Sequence, residues 1–279
     1  MIQLYQFGNS VCCQKVRITL LEKGLEWETK EVNLFRNEQY SPEYLKLNPK
    51  GVVPTLVHDG SAVTESTLIC EYLEDVFPHP RLVPEAALLR ASMRQWSKFV
   101  DEGLHEGISE ISFSAMFRER LKNSTPEQRD IRFRNIGDPR RGDRFRSTYE
   151  LGTSSPFVLY AVAAYYKVFK LLENTLNAAG PWILGPSLSL ADINLMPYVG
   201  RLEFLGLLEP FIASRPAVRQ WWQRAQNWPS YVGGIVTPMT DFERHEMATH
   251  GPTIRSDIER LIERVSMLQA TSEPEQCSV

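Results

Sequence analysis

The sequence predicts a chain in two unlike parts: a small mixed α/β sheet over residues 1–79, of order β-α-β-α-β-β-α, then an all-helical part over 86–279. Three observations carry this. Strand and helix patterns alternate only within the first 80 or so residues. Pro78-His79-Pro80-Arg81-Leu82-Val83-Pro84 holds three prolines in seven residues and reads as a linker centred on 80–85. Beyond it, almost every patterned stretch has helical spacing.

The elements follow in order. Ile2 to Phe7 alternates apolar and polar, as a strand does. Val11 to Lys23 is helical, with Val16, Leu20 and Leu21 on one face and Gly24 at its C-terminal end. Glu28 to Leu34 reads as a second strand. Pro42 to Leu47 reads as a short helix, with Ser41 as N-cap and Pro42 at the first helical position. Thr55-Leu56-Val57-His58 and Ala62-Val63-Thr64 flank Asp59-Gly60, the strongest short-range hairpin signal in the chain. Ser66 to Phe77 is a further helix, stopped by Pro78 and Pro80. The β-α-β start implies parallel strands joined by a right-handed crossover, and the hairpin adds antiparallel ones. The sum is a mixed four-stranded sheet of thioredoxin-like type.

In the second part, Ala86 to Arg120 reads as one long helix or a pair, followed by helices at Val158 to Leu176, Leu190 to Leu205, Ala217 to Trp228 and Thr253 to Leu268. Ser189 and Asp192 form a Ser-x-x-Asp capping box for the helix beginning at Leu190, with Leu188 and Ile193 at the staple positions. That cap is worth about 1 kcal/mol. Thr271 to Val279 reads as a frayed tail.

Composition narrows the class. The 279 residues suit about two domains, with 43% hydrophobic and 23% charged residues, as in globular rather than disordered chains. The net charge of −3 lacks the basic footprint of a nucleic-acid binder. The longest unbroken apolar run, Phe157 to Tyr166, is about half what a membrane span needs. The N-terminus lacks a signal-peptide pattern. The four cysteines, Cys12, Cys13, Cys70 and Cys277, form no Cys-x-x-Cys pair and no zinc-like spacing, so no metal is expected and a reducing cytoplasm is. Two segments exceed what the two parts need: an Arg-rich insertion at 118–156 and an extension at 237–279. Residues 118–146 hold nine Arg and one Lys against five acids, a local +5, and such a run is ordinarily a solvated face or a seat for an anion.

Three local features then resemble the cytosolic glutathione transferases. Asn48-Pro49-Lys50-Gly51-Val52-Val53-Pro54-Thr55-Leu56 looks like that family's cis-proline segment before the third strand. Glu65-Ser66 follows the fourth strand and opens a helix, and Ser189-Leu190-Ala191-Asp192-Ile193 matches the family's helix-capping motif. The resemblance covers roughly residues 1–110 and 158–232. It implies glutathione-transferase architecture, glutathione as co-substrate and a homodimer. Asp59 to Pro78 is similar to the bacterial branch that cleaves the β-aryl ethers of lignin-derived aromatics. Asn9-Ser10-Val11-Cys12-Cys13-Gln14-Lys15-Val16-Arg17 instead resembles zeta-class isomerases and glutathione-dependent reductive dehalogenases. The two segments point to different substrates.

The resemblance also implies site residues. Ser10 falls on the family's thiol-activating position, at a helix start where backbone N–H groups and the dipole favour an anion. The same Ser10 reads equally as N-cap. Cys12 falls where dehalogenase-like relatives carry a nucleophilic cysteine, suited to a mixed disulfide with glutathione. Asn9 is a turn residue able to donate a hydrogen bond, and Cys13 and Cys70 read as packed. For glutathione, Val53 beside a cis Pro54 would meet the cysteinyl backbone, Ser66 and Glu65 the γ-glutamyl end, and Gln39 and Lys50 the glycine carboxylate. Val52 stands where the family often has a basic or amide side chain. Ile108, Ile111, Ser112, Phe113, Ala115, Met116 and Phe117 would line an apolar pocket for a second, hydrophobic substrate.

The leading expectation is thus a glutathione transferase whose bound thiolate attacks a hydrophobic, aromatic electrophile, with aryl-ether cleavage preferred. The rivals are a dehalogenase or isomerase working through Cys12, and a non-catalytic binding protein of the same fold.

Overall fold

A computed structural model describes residues 1–122, 125–133 and 139–270. The first part forms β1 (Ile2–Gln6), α1 (Val11–Glu22), β2 (Glu28–Glu31), α2 (Pro42–Leu47), β3 (Thr55–His58), β4 (Ser61–Thr64) and α3 (Ser66–Val76). The sheet order is β2-β1-β3-β4, with β1 parallel to β2 and antiparallel to β3, and β3 antiparallel to β4. Register places Leu4 between Thr29 and Leu56, and Leu56 beside Val63. Asp59 and Gly60 both take positive φ, as the hairpin turn requires. The second strand is shorter than expected. It ends at Glu31 because the Asn33 side chain accepts from the Phe35 and Arg36 N–H groups and starts a 3-10 turn.

The linker is held from both sides. Glu74 on α3 forms a buried ion pair with Lys23 and accepts from the Leu82 N–H at 3.0 Å and the Val83 N–H at 3.3 Å. The Leu82 carbonyl accepts in turn from the Leu190 N–H at 3.0 Å.

A continuous helical run then crosses the molecule: α4 (Ala87–Phe99), a π turn (Val100–Leu104), α5 (His105–Ser112), a second π turn (Phe113–Phe117) and α6 (Arg118–Lys122). Each π turn inserts a residue into the helical repeat, so the face presented to the sheet changes along the run. The remaining helices are α7 (Pro126–Phe133), α8 (Pro139–Leu151), α9 (Pro156–Ala179), α10 (Leu190–Phe204), α11 (Glu209–Ile212), α12 (Pro216–Gln226), α13 (Pro229–Tyr231), α14 (Asp241–His250) and α15 (Arg255–Ala270). One hydrophobic core runs from Leu4, Val16 and Leu20 through Met93 and Leu104 to Tyr165, Phe169 and Met196. It joins the sheet part to the helical part without a break.

The capping box at α10 forms. The buried Asp192 carboxylate accepts from the Ser189 N–H (3.1 Å) and hydroxyl (2.9 Å), the Ile183 N–H (3.0 Å) and the Trp221 indole N–H (2.9 Å). Burial pushes Asp192 up to about 6, against the pull of those four donors.

The Arg-rich segment keeps an exposed side, with Arg140 and Arg146 toward solvent, but two of its arginines are tied inward. Arg118 donates to the Tyr149 carbonyl (2.7 Å) and the Glu150 carbonyl (3.1 Å), and Arg144 bridges Glu106 (3.0 Å) and Glu110 (3.7 Å). These contacts fasten α8 to the run before it, since a guanidinium can serve several acceptors at once. The extension is likewise built in. Thr240 and Glu243 cap α14 in a second box, and Arg244 of α14 donates to the Val236 carbonyl at 2.9 Å and the Met239 carbonyl at 2.7 Å. Just before it, Arg17 of α1 donates to the Gly234 carbonyl at 2.7 Å. The tail from 271 onward, with Cys277, lies outside the described residues.

Candidate active site

A cavity of about 370 Å³ opens where the N-terminal ends of α1 and α3 face α5. One wall carries the sheet-part residues Asn9, Ser10, Cys12, Gln39, Val53, Pro54, Glu65 and Ser66. The opposite wall carries His105, Ile108, Ser112, Phe113 and Phe117, with Phe133 of α7 and Phe145 of α8 above them. The cavity therefore has a polar side from the sheet part and an aromatic side from the helices.

The polar side is preorganised. The Val53–Pro54 peptide is cis. Val53 and Pro54 line the cavity, while Glu65 at φ 68° precedes α3 and leaves Ser66 at the helix start. Gln39 is buried beside them, and its Oε1 has no hydrogen-bond partner among the described residues. A buried amide without a partner costs about 1–3 kcal/mol, which a bound polar ligand would recover. These features fit a peptide-like ligand with charged ends. Lys50 does not border the cavity. Its mostly exposed ammonium pairs at 2.6 Å with Glu65, which does line the cavity.

Three residues expected on the aromatic wall are elsewhere. Ile111, Ala115 and Met116 are buried in the main core rather than facing the cavity. The π turn at Phe113–Phe117 sets Phe113 and Phe117 toward the cavity and leaves Ala115 and Met116 toward the core. Phe113 instead stacks on Phe145, with ring centroids 5.2 Å apart and planes 15° apart.

At the floor, Ser10 caps α1, its hydroxyl accepting from the Cys13 N–H at 3.4 Å. Both readings of Ser10 thus remain compatible, since it caps the helix and lines the cavity. Asn9 is buried, and its Oδ1 and carbonyl both accept from Arg201 at 2.5 Å. Cys12, in the first turn of α1, has its Sγ 3.4 Å from His105 Nδ1 and 3.7 Å from the Tyr198 hydroxyl, which is 3.4 Å from the same Nδ1. Lys15 completes the group, donating to Thr67 (2.7 Å) and Asp101 (3.2 Å).

Electrostatics separate the two neighbouring cysteines. Burial alone would push the Cys12 thiol up, but the His105 charge and hydrogen bond, the Lys15 ammonium and the Tyr198 hydroxyl bring it down to about 6. The Cys12 charge in turn raises His105. Cys13 is fully buried, and burial pushes its thiol up to about 12 despite Arg17. Cys70 is pushed up to about 11 the same way.

Sequence reasoning missed His105, Tyr198, Lys15 and Arg201. His105 lay within reach of it, because His105, Ile108 and Ser112 fall on one helical stripe. Among the described residues, no group of three or more His, Cys, Asp or Glu is placed to hold a metal, and no helix is long and apolar enough to cross a membrane.

Comparison with known proteins supplies relatives. The model of the glutathione S-transferase N-terminal domain matches residues 9–76, and that of the C-terminal domain matches 126–224. Protein LigF of Sphingobium sp. is 52% identical over 103 residues, 36% of this chain and 40% of that protein. Its crystal structure, described as a beta-etherase, superposes with a TM-score of 0.75 at 31% identity, covering 85% of this chain and 99% of that one. Glutathione S-transferase 1 of Dianthus caryophyllus is 44% identical over 103 residues, 37% of this chain and 47% of that protein. In these two sequence alignments the chain spans less than half the length of the relatives it matches. Maleylacetoacetate isomerase of Rattus norvegicus is 29% identical over 203 residues, 72% of this chain and 77% of that protein.

Proposed function

The chain belongs to the glutathione S-transferase family, and from that premise we propose that it joins the thiolate of glutathione to an electrophilic carbon of a hydrophobic aromatic substrate, with cleavage of a β-aryl ether as the preferred reaction. The observation that carries this reading is the two-sided cavity, with Ser10, Val53, Pro54, Glu65 and Ser66 facing an aromatic wall. In this reading, Ser66 and the start of α3 hold the γ-glutamyl carboxylate, Glu65 the adjacent ammonium, and the Val53 backbone the cysteinyl unit. Gln39 reaches the glycine end.

Lowering a thiol by two pKa units needs about 2.7 kcal/mol of differential stabilisation. The start of α1 and the Ser10 hydroxyl supply it by hydrogen bonding and dipole. The thiolate then attacks the carbon bearing the aryloxy group, and the phenolate leaves. Phe113, Phe117, Phe133 and Phe145 hold the aromatic ring against that sulfur. The likeness to a structure described as a beta-etherase supports the ether reaction. A cytoplasmic homodimer acting on lignin-derived aromatics is the setting proposed.

The test is turnover of a β-aryl ether with glutathione, together with retention on immobilised glutathione. Ser10→Ala should lower kcat on the order of 10²-fold or more, while Cys12→Ala keeps most of it. Loss of turnover in Cys12→Ala alone would show that Ser10 is not the activating group. A second reading, a dehalogenase or isomerase working through Cys12, is favoured by one observation, the 3.4 Å approach of His105 to Cys12.

A further inference from the structure

His105 opens α5 on the wall opposite Ser10, and activation of the thiol by Ser10 leaves it unused. Its two ring nitrogens have different surroundings. Nδ1 lies 3.4 Å from Cys12 Sγ and 3.4 Å from the Tyr198 hydroxyl. Nε2 has no hydrogen-bond partner among the described residues, yet it is not a buried orphan, since the half-buried ring borders the cavity. A doubly protonated ring donates one N–H to the Cys12 thiolate and keeps the other for a ligand. The Cys12 charge raises the imidazole, so the ring holds its proton above the ordinary histidine range.

We propose that His105 is the general acid of the reaction, giving the proton on Nε2 to the ether oxygen as the aryloxy group departs; this rests on the reading that the cavity cleaves an aryl ether. A phenol with pKa about 10 leaves as a strong base when expelled unprotonated at pH 7. A proton delivered in the transition state is worth about 10²–10⁴ in rate. The glutathione thiolate forms the new S–C bond, and the C–O bond breaks with its electron pair on oxygen. The imidazolium proton passes to that oxygen, so the phenol leaves neutral and the ring is left neutral too. The proton given up by the next glutathione thiol recharges the imidazole. The net change is GSH + R–OAr → GS–R + ArOH.

Placement supports the role. In-line displacement puts the ether oxygen on the far side of the attacked carbon from the sulfur, toward α5, and His105 stands there one turn before Ile108. The neighbours do not serve instead. Tyr198 does not border the cavity, and burial raises its hydroxyl well above the ordinary phenol range. Arg141, on the wall and over the Phe145 ring at 5.4 Å, keeps its proton at any working pH, so it offers charge and no proton transfer. Asp101 accepts from Lys15 and Thr67. Cys12, Lys15, Asp101, Tyr198 and Arg141 are the charged and titratable groups that face the ring. In this arrangement Cys12 is a positioning residue: its thiolate keeps the ring charged and turned with Nε2 to the cavity.

The experiment uses the full chain, glutathione and a series of β-aryl ethers alike except in the leaving phenol, from a nitrophenol to a methoxyphenol. Phenol release is followed in a single turnover at neutral pH, so that product release does not mask the chemical step. In the parent protein the rate should vary little across the series, because the acid compensates for a poor leaving group. His105→Gln should lose roughly a hundredfold on the methoxyphenyl ether and less than about threefold on the nitrophenyl ether, whose anion departs unaided. A deficit equal across the series would show that His105 only shapes the wall, and it would overturn the proposal, as would an undiminished rate. If His105→Gln does not fold, the parent series decides: a steep fall with rising phenol pKa overturns the proposal and a shallow one supports it. Cleavage of the ethers with either overturning result leaves the ether reading standing. No cleavage of any ether by the parent protein would overturn both.

Discussion

Arg201 of α10 holds both oxygens of Asn9, its guanidinium reaching the backbone carbonyl and Oδ1 at 2.5 Å across 192 residues of sequence. The turn that presents Ser10 and Cys12 is thereby fixed by a helix of the other half. Arg201 is fully enclosed, and burial lowers it to about 10. Replacing it with Ala leaves two buried acceptors without a donor, at about 1–3 kcal/mol each. Arg201→Ala should therefore melt well below the parent protein and show a raised KM for glutathione. An unchanged melting temperature would mean that the turn holds itself.

The Cys12 thiol should titrate near pH 6. Its alkylation by iodoacetamide should be slow below that value, where Sγ is protonated, and reach a plateau above it. In His105→Gln, burial acts with less opposition, and the rate should still be rising above pH 8. The linked stability has the same sign. A depressed pKa stabilises the fold above the ordinary thiol range and that contribution fades as pH falls through 6. Alkylation rates that track an ordinary thiol in the parent protein would contradict the pairing.

Lys23 and Glu74 lie buried together where the linker leaves α3. Glu74→Ala strands an ammonium in the interior and should cost about 3–5 kcal/mol. Glu74→Gln keeps the oxygen that accepts from Lys23 and the Leu82 N–H, loses only the acceptor for the Val83 N–H, and should cost less. Chemical denaturation of both variants orders them, and equal midpoints would show that the charge is immaterial.

Gly234 lies against α1, where an added Cβ would come within 2.8 Å of Ile18 Cγ1 and 3.1 Å of its backbone nitrogen. Gly234→Ala should push the turn at Val232–Val236 off α1 and cost about 1–3 kcal/mol. Hydrogen exchange in α1 reads this directly, and unchanged protection there would count against the packing argument.

Phe145 stacks on Phe113 above the cavity. Phe145→Ala should raise KM for an aromatic second substrate by up to about tenfold, from a ring contact worth roughly 0.5–1.5 kcal/mol. KM for glutathione should stay as it was. Steady-state kinetics with each substrate varied separately distinguishes the two, and equal effects on both would place Phe145 outside the second-substrate pocket.

What was legible in the sequence was local. The Asp59-Gly60 hairpin and the Ser189/Asp192 box are fixed by neighbours within four residues, so composition alone marks them. The mixed sheet followed from the order of its elements. The sulfur's surroundings were not local. His105 and Tyr198 come to Cys12 from 93 and 186 residues away, and only packing brings them there. Ile111 and Met116 were assigned the wrong face because apolar spacing in a long helix does not reveal a π turn. Arg118 of the insertion looked solvated because its acceptors, the Tyr149 and Glu150 carbonyls, are backbone groups that leave no trace in composition.

The distance between Cys12 and His105 in sequence has a consequence for the chain as it is made. At roughly 5–20 residues per second, synthesis delivers the cysteine about five to twenty seconds before its partner. Through that interval the thiol is an ordinary one, mostly protonated at neutral pH. Its reactivity switches on only when α5 docks against α1. A nascent or misassembled copy is therefore chemically quiet, and the thiolate becomes a certificate that the two halves have joined correctly.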